Sequence, residues 1–144
     1  MAQIDYQRDL NFPASRVWAV LEDFGNMEWS GGIDRVELIG EGIGMTRRLH
    51  INGMDPIDEV LQSRDAATMS FSYTIPQGLP LPVTDYLASA RVEALDDDSC
   101  RVFYRCECQP VDPSLPHADL EAMIHGTYSM LLDMVEAHLS DKAE

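Results

Sequence analysis

One stretch near the end of the chain limits the fold more than any other. From about Ser114 to Leu139 the sequence carries Leu120, Met123, Ile124, Thr127, Leu131, Met134 and Val135 at helical spacing, a wide apolar stripe. Asp119 and Glu121 stand early in it, where the positive end of a helix dipole favours acids. About 26 residues at 1.5 Å each make a rod of roughly 39 Å. No other segment is patterned for a helix of that length. Whatever the rest of the chain builds must lay an apolar face against this rod.

The rest of the chain is patterned mostly for strands. QIDYQRDL alternates and predicts a first strand. Pro13 then opens a short helix with Val17, Val20, Leu21 and Phe24 on one side, stopped by Gly25. NMEWS predicts one further helical turn before Gly31 and Gly32. Six strand-like runs follow: IDRVELI, MTRRLHI, PIDEVLQS, ATMSFSYTI, VTDYLASARVEAL and CRVFYRCECQP. Asn52-Gly53, Arg64-Asp65, PQGLPLP and Asp96-Asp97-Asp98 separate them, and connections this short imply an antiparallel meander. The fold class is α+β, in one domain over residues 1–144: a seven-stranded sheet, two short helices after the first strand, and the long helix covering one face.

Residues 38–51, LIGEGIGMTRRLHI, hold three alternating glycines and two arginines and so raise the question of a phosphate loop. A dinucleotide fingerprint needs its glycines to open a helix, and MTRRLHI reads as a strand. No Lys-Ser or Lys-Thr pair follows, and Lys142 is the only lysine in the chain, which also removes a Schiff-base lysine in practice. The glycines belong to a hairpin turn.

Charge and cysteine usage narrow the partners. Twenty-five acidic against ten basic side chains give a net charge of −15, which repels nucleic acid and anionic lipid heads. No apolar run reaches the roughly 18 residues of a membrane span, and MAQIDYQRDL lacks the pattern of a signal peptide, so the expectation is a cytoplasmic protein, a monomer or homodimer. Cys100, Cys106 and Cys108 read as reduced, buried thiols. No ligand set for a metal accompanies them, and no cofactor motif is present.

FPASRVWAVLEDFGNMEWS, GEGIGMTRRLHI, DEVL and LPLPVTDYLASARV, in that order and spacing, resemble the SRPBCC superfamily, the START-like or birch-pollen-allergen-like helix-grip fold, and within it the polyketide cyclase/dehydrase-like branch. The resemblance runs from about residue 3 to residue 140, and the plant abscisic-acid receptors are similar at a greater distance. It implies a curved sheet gripping the last helix, with a deep apolar cavity between them. It does not imply one chemistry, because members include cyclases, dehydratases and carriers of lipids and hormones.

Strand alternation says which residues face that cavity. Met45, Arg47, Leu49 and Ile51 share the inner face; so do Ile57, Glu59 and Leu61; Met69, Phe71, Tyr73 and Ile75; Tyr86, Ala88, Ala90 and Val92; and Val102, Tyr104, Cys106 and Cys108. Arg48, His50 and Asp85 go outward, and Asp85 stands where the family pattern often has Asn. The ligand-facing set is then Arg47, Leu49, Ile51, Glu59, Phe71, Tyr73, Tyr86, Ala88 and Tyr104 from the strands, with Met123 and Thr127 from the closing helix. Arg47 and Glu59 must be paired or hydrated on so apolar a face, and in the resemblance the positions of Arg47, Glu59 and Tyr86 commonly line the pocket. His125 and His138 have surface or capping roles, although Glu121 and His125 can meet at a spacing of four.

Two functions suit such a cavity. One is the binding of a small hydrophobic or aromatic molecule, polyketide- or lipid-like, with Arg47 or Glu59 orienting its polar end and the segments around Asn52-Gly53 and PQGLPLP gating the mouth. The alternative is a cyclase or dehydratase with Glu59 as general base and Arg47 or Tyr104 stabilising an enolate oxygen. A protein-interaction module is a third reading, for which the pattern nominates no surface.

Overall fold

The computed structural model describes residues 1–142, the side chain of Lys142 excepted, so the last two positions of the 1–144 domain and that lysine side chain lie outside the described residues. The elements run β1 (Ala2–Leu10), α1 (Ala14–Glu22), β2 (Arg35–Ile39), β3 (Thr46–His50), β4 (Ile57–Asp65), β5 (Ser70–Gln77), β6 (Val83–Ala94), β7 (Cys100–Pro110) and α2 (His117–Lys142). The strands form one antiparallel sheet in the order β1-β7-β6-β5-β4-β3-β2, with β1 laid beside β7 from Ala2↔Cys108 to Leu10↔Cys100. The seven-stranded sheet and the long closing helix are those expected from the sequence.

One short helix, not two, follows β1. Residues after Phe24 make isolated turns, with Asn26 N donating to Asp23 O and Ser30 N to Met27 O. The Asn26 side chain accepts from Glu28 N and its carbonyl takes the Trp29 indole N–H, so local side-chain bonds replace a helical ladder there. The glycine-rich stretch is the β2–β3 hairpin turn, where Gly40, Gly42 and Gly44 all take positive φ.

Alternation places β-strand residues as expected. Arg47, Leu49, Ile57, Glu59, Leu61, Phe71, Tyr73, Ala88, Ala90, Val92, Val102, Tyr104, Cys106 and Cys108 are all buried on the inner face. The long helix is turned relative to the expected stripe. Its buried residues are Leu120, Ile124, Tyr128, Leu132, Val135 and Leu139, whereas Met123 and Met130 are exposed. Thr127 is exposed too, its hydroxyl donating back to Met123 O. Arg8, on the inner side of β1, fixes this rotation: it donates to Ser129 O, Asp133 and Glu136. Arg16 of α1 donates to Leu139 O at the far end.

Two irregularities shape the sheet next to the loops. On β6 the register slips between Thr84 and Leu87, and Asp85 there takes φ 54°. A bulge of this kind adds one residue and so breaks alternation, which is why both Val83 and Tyr86 are buried. On β5, Ile75 and Pro76 together face the single residue Glu59, and Pro76 has no N–H to lose from the ladder. Beyond Thr74↔Leu87 the two strands part, β5 staying with β4 (Gln77↔Asp58) and β6 with β7 (Val83↔Pro110). The loop 78–82 bridges the split. It is held by Gly78, whose φ is +83° and whose missing Cβ would stand 2.1 Å from Pro56 O.

Candidate functional site

Arg47 and Glu59 are direct cross-strand neighbours on β3 and β4, pointing inward. Arg47 Nε donates to Glu59 Oε1 at 2.6 Å, and Arg47 Nη1 donates to Phe24 O at 2.9 Å and to Met27 Sδ at 3.2 Å. The guanidinium lies 3.9 Å over the Phe24 ring and 5.4 Å from that of Tyr73. The turns after α1 thus hold the arginine in place, and Phe24 and Met27 join the site although the strand pattern alone does not point to them.

Four of the five tyrosines are buried in the same interior as this pair. Tyr73 stacks on Phe71 with ring centroids 5.8 Å apart, and Tyr104 stacks on Tyr128 at 4.6 Å. The Tyr86 and Tyr128 hydroxyls hydrogen-bond to each other. Across the inner face Ala90 sits between Phe71 and Tyr104, and Ala88 between Tyr73 and Cys106. These small side chains leave the middle of the sheet low, and Tyr128 enters from α2 against the rings beside them. Tyr128, like Phe24 and Met27, lies outside the set expected from the sequence. Its signal was present in the four-residue ladder Leu120, Ile124, Tyr128, Leu132.

Burial pushes the phenols of Tyr73, Tyr86, Tyr104 and Tyr128 well above their ordinary value, so all four keep their protons at neutral pH. It pushes the Cys106 thiol up to about 12 and that of Cys100 to about 11, which leaves them as apolar wall rather than nucleophiles.

Among the described residues, every side-chain nitrogen or oxygen fully sealed from solvent has a hydrogen-bond partner. The hydroxyls of Tyr73 and Tyr104, Glu59 Oε2 and Arg47 Nη2 take no part in the hydrogen bonds of these residues, so each looks onto space that water can reach. The interior is nonetheless filled mainly by rings: Phe71, Tyr73, Tyr86, Tyr104 and Tyr128 are each at most 4% exposed. This is tighter than the deep hollow expected from the resemblance, because the aromatic side chains that line the face also occupy it.

A groove of about 630 Å³ occupies the split between β5 and β6, walled by Ile75, Leu79, Val83 and Tyr86 among others. Tyr86 belongs both to this wall and to the buried cluster. A second groove, of about 840 Å³, is lined chiefly by outward residues such as Ser63, Ser72, Ser89, Arg91 and Phe103, with Phe71 and Tyr104 also in its wall.

Of the residues expected to face a ligand, Arg47, Leu49, Glu59, Phe71, Tyr73, Tyr86, Ala88 and Tyr104 are buried together on the inner face. Ile51 is half-buried just past the end of β3. Met123 and Thr127 point outward and leave the set, since the anchoring of α2 by Arg8 turns that face to solvent. His125 does not pair with Glu121. Its Nε2 donates to Asp5 O at 2.8 Å and ties α2 to β1.

The model of the family described as polyketide cyclase/dehydrase and lipid transport matches residues 1–140. Among curated proteins, no sequence matches this chain. Solved structures are similar over nearly the whole length. The protein XoxI from Bacillus cereus is 23% identical with a TM-score of 0.83, covering 100% of this chain and 99% of its own. Norcoclaurine synthase from Thalictrum flavum, solved with dopamine and hydroxybenzaldehyde, is 17% identical with a TM-score of 0.74, covering 97% and 87%. Ara h 8.0201 is 12% identical with a TM-score of 0.78, covering 97% and 98%. These likenesses establish the helix-grip fold. No helix among the described residues is long and apolar enough to cross a membrane.

Proposed function

This chain belongs to the polyketide cyclase/dehydrase and lipid transport family, and on that premise we propose that it binds a small hydrophobic or aromatic molecule, polyketide- or lipid-like, between the inner sheet face and α2. The observation that carries this reading is the set of polar atoms without a hydrogen-bond partner among the described residues, set within an aromatic shell: Arg47 Nη2, Glu59 Oε2 and the hydroxyls of Tyr73 and Tyr104. Rings supply affinity by burial, at about 25 cal/mol per Å², and the polar atoms orient one end of the guest. Entry runs through the split between β5 and β6, where Tyr86 meets the groove, with the loops around Asn52-Gly53 and 78–82 as its gate. The protein works in the cytoplasm as a monomer or homodimer. Native mass spectrometry of protein purified from its own host, with thermal shifts against a panel of hydrophobic and aromatic compounds, tests the reading. A retained or stabilising guest supports it, and a protein that retains nothing and shifts with nothing overturns it.

Glu59 Oε2 also supports a second reading, a cyclase- or dehydratase-type enzyme. A carboxylate whose other oxygen is fixed by Arg47 is positioned to take a proton, with Arg47 or Tyr104 donating to an enolate oxygen. Turnover that survives both Glu59→Gln and Arg47→Ala removes that assignment.

A further inference from the structure

The buried cluster has a charge state, and that state selects among ligands. Arg47 and Glu59 are the only buried charged residues among those described, and they pair with each other. Their charges cancel. Arg8, the arginine on the inner side of β1, is engaged by Asp133 and Glu136. A guest carrying its own carboxylate would therefore add an uncompensated charge among aromatic rings, which is costly. The remaining valences are of both kinds: N–H on Arg47 Nη2 and a lone pair on Glu59 Oε2, at the two sides of one ion pair, and hydroxyls on Tyr73 and Tyr104 that can donate or accept.

We infer that the site takes a molecule that is neutral at its polar end, with a donor and an acceptor side by side on an aromatic frame — a phenol, an enol or a hydroxy-ketone — and discriminates against the matching carboxylic acid. The inference rests on the binding function proposed above and narrows it. Free fatty acids and aromatic acids are excluded as natural guests, while their neutral relatives are admitted.

Calorimetric titration of the full chain at pH 7.5 with 2-naphthol and 2-naphthoate, in the wild type and in Glu59→Gln, tests it. The wild type is expected to bind 2-naphthol at least about tenfold more tightly. That ratio alone would also arise in any greasy pocket, so the variant decides. Glu59→Gln leaves Arg47 with its charge unbalanced, and 2-naphthoate should then gain about tenfold or more while 2-naphthol gains nothing. If 2-naphthoate gains nothing in a folded Glu59→Gln protein, or binds the wild type as tightly as 2-naphthol, the inference falls while ligand binding stands. If neither probe binds the wild type or the variant, both fall. Should circular dichroism show Glu59→Gln unfolded, Arg47→Gln gives the mirror test. Its unbalanced carboxylate should raise the affinity for 2-naphthylmethylammonium by about tenfold, and no gain overturns the inference.

Discussion

The hydroxyl of Tyr86 on β6 hydrogen-bonds to that of Tyr128 on α2, joining the sheet to the helix inside the buried cluster. Removing one partner strands the other in a place water reaches poorly. Tyr128→Phe and Tyr86→Phe should each cost about 1–3 kcal/mol, and the double variant less than the sum of the two. Urea unfolding of the four proteins gives the coupling directly. Strict additivity would mean that the bond contributes nothing.

Asp85 holds a left-handed backbone conformation, φ 54°, at the bulge that turns Tyr86 inward. Asn adopts that conformation readily and a β-branched residue does not. Asp85→Asn should leave the melting temperature nearly unchanged, while Asp85→Val should cost about 1–3 kcal/mol. It should also alter the near-ultraviolet tyrosine signal, since Tyr86 would lose its aim.

Gly78 and Gly53 share a positive φ, but only Gly78 lacks room for a Cβ: Gly53 would meet nothing within 4 Å, while Gly78 would meet Pro56 O at 2.1 Å. Gly53→Ala should therefore lose only the conformational penalty, about 1 kcal/mol, and Gly78→Ala clearly more. Equal losses in thermal unfolding would show that the contact between the two loops is not binding them together.

Arg48 donates two hydrogen bonds to Asp58, at 2.7 and 3.0 Å, and holds its carboxyl below the ordinary value of 3.8. A depressed folded value gives stability that is full above 3.8 and is lost as pH falls through the folded value. Asp58→Asn should accordingly be less stable than the wild type at pH 6, with the gap closing as pH falls below 3.8 and through the lowered folded value. A gap that stays constant across an acid titration of unfolding would refute this.

Cys100, Cys106 and Cys108 are free and each about 0% exposed, with burial raising their pKa values. Ellman's reagent at pH 8 should find no fast-reacting thiol in the native protein and all three after denaturation.

The sheet could be read from the sequence because period-two alternation with one apolar face leaves little choice of register, and Arg47 and Glu59 announced themselves as charges on that face. The helix was harder. Its stripe includes Met123 and Thr127 as plausibly as Tyr128 if only polarity is weighed. What decides is Arg8, more than 120 residues away in sequence, gripping Asp133 and Glu136. The two bulges were likewise hidden, since Asp85 and Pro76 show their role only once β5 and β6 are seen to part. Trp29 and Asn26 kept the NMEWS segment from becoming helix through bonds that no periodicity encodes.

Because β1 lies at the sheet edge against β7, its strand partner among the described residues stands about a hundred residues downstream. A ribosome making this chain releases β1 long before Cys100–Pro110 exists, and α2, which caps the same aromatic interior, emerges later still. Closure of so distant a pairing is slow, so the nascent polypeptide carries an open, half-greasy meander until β7 and α2 have emerged. A net charge of −15 makes like copies repel one another and so opposes association of unfinished chains.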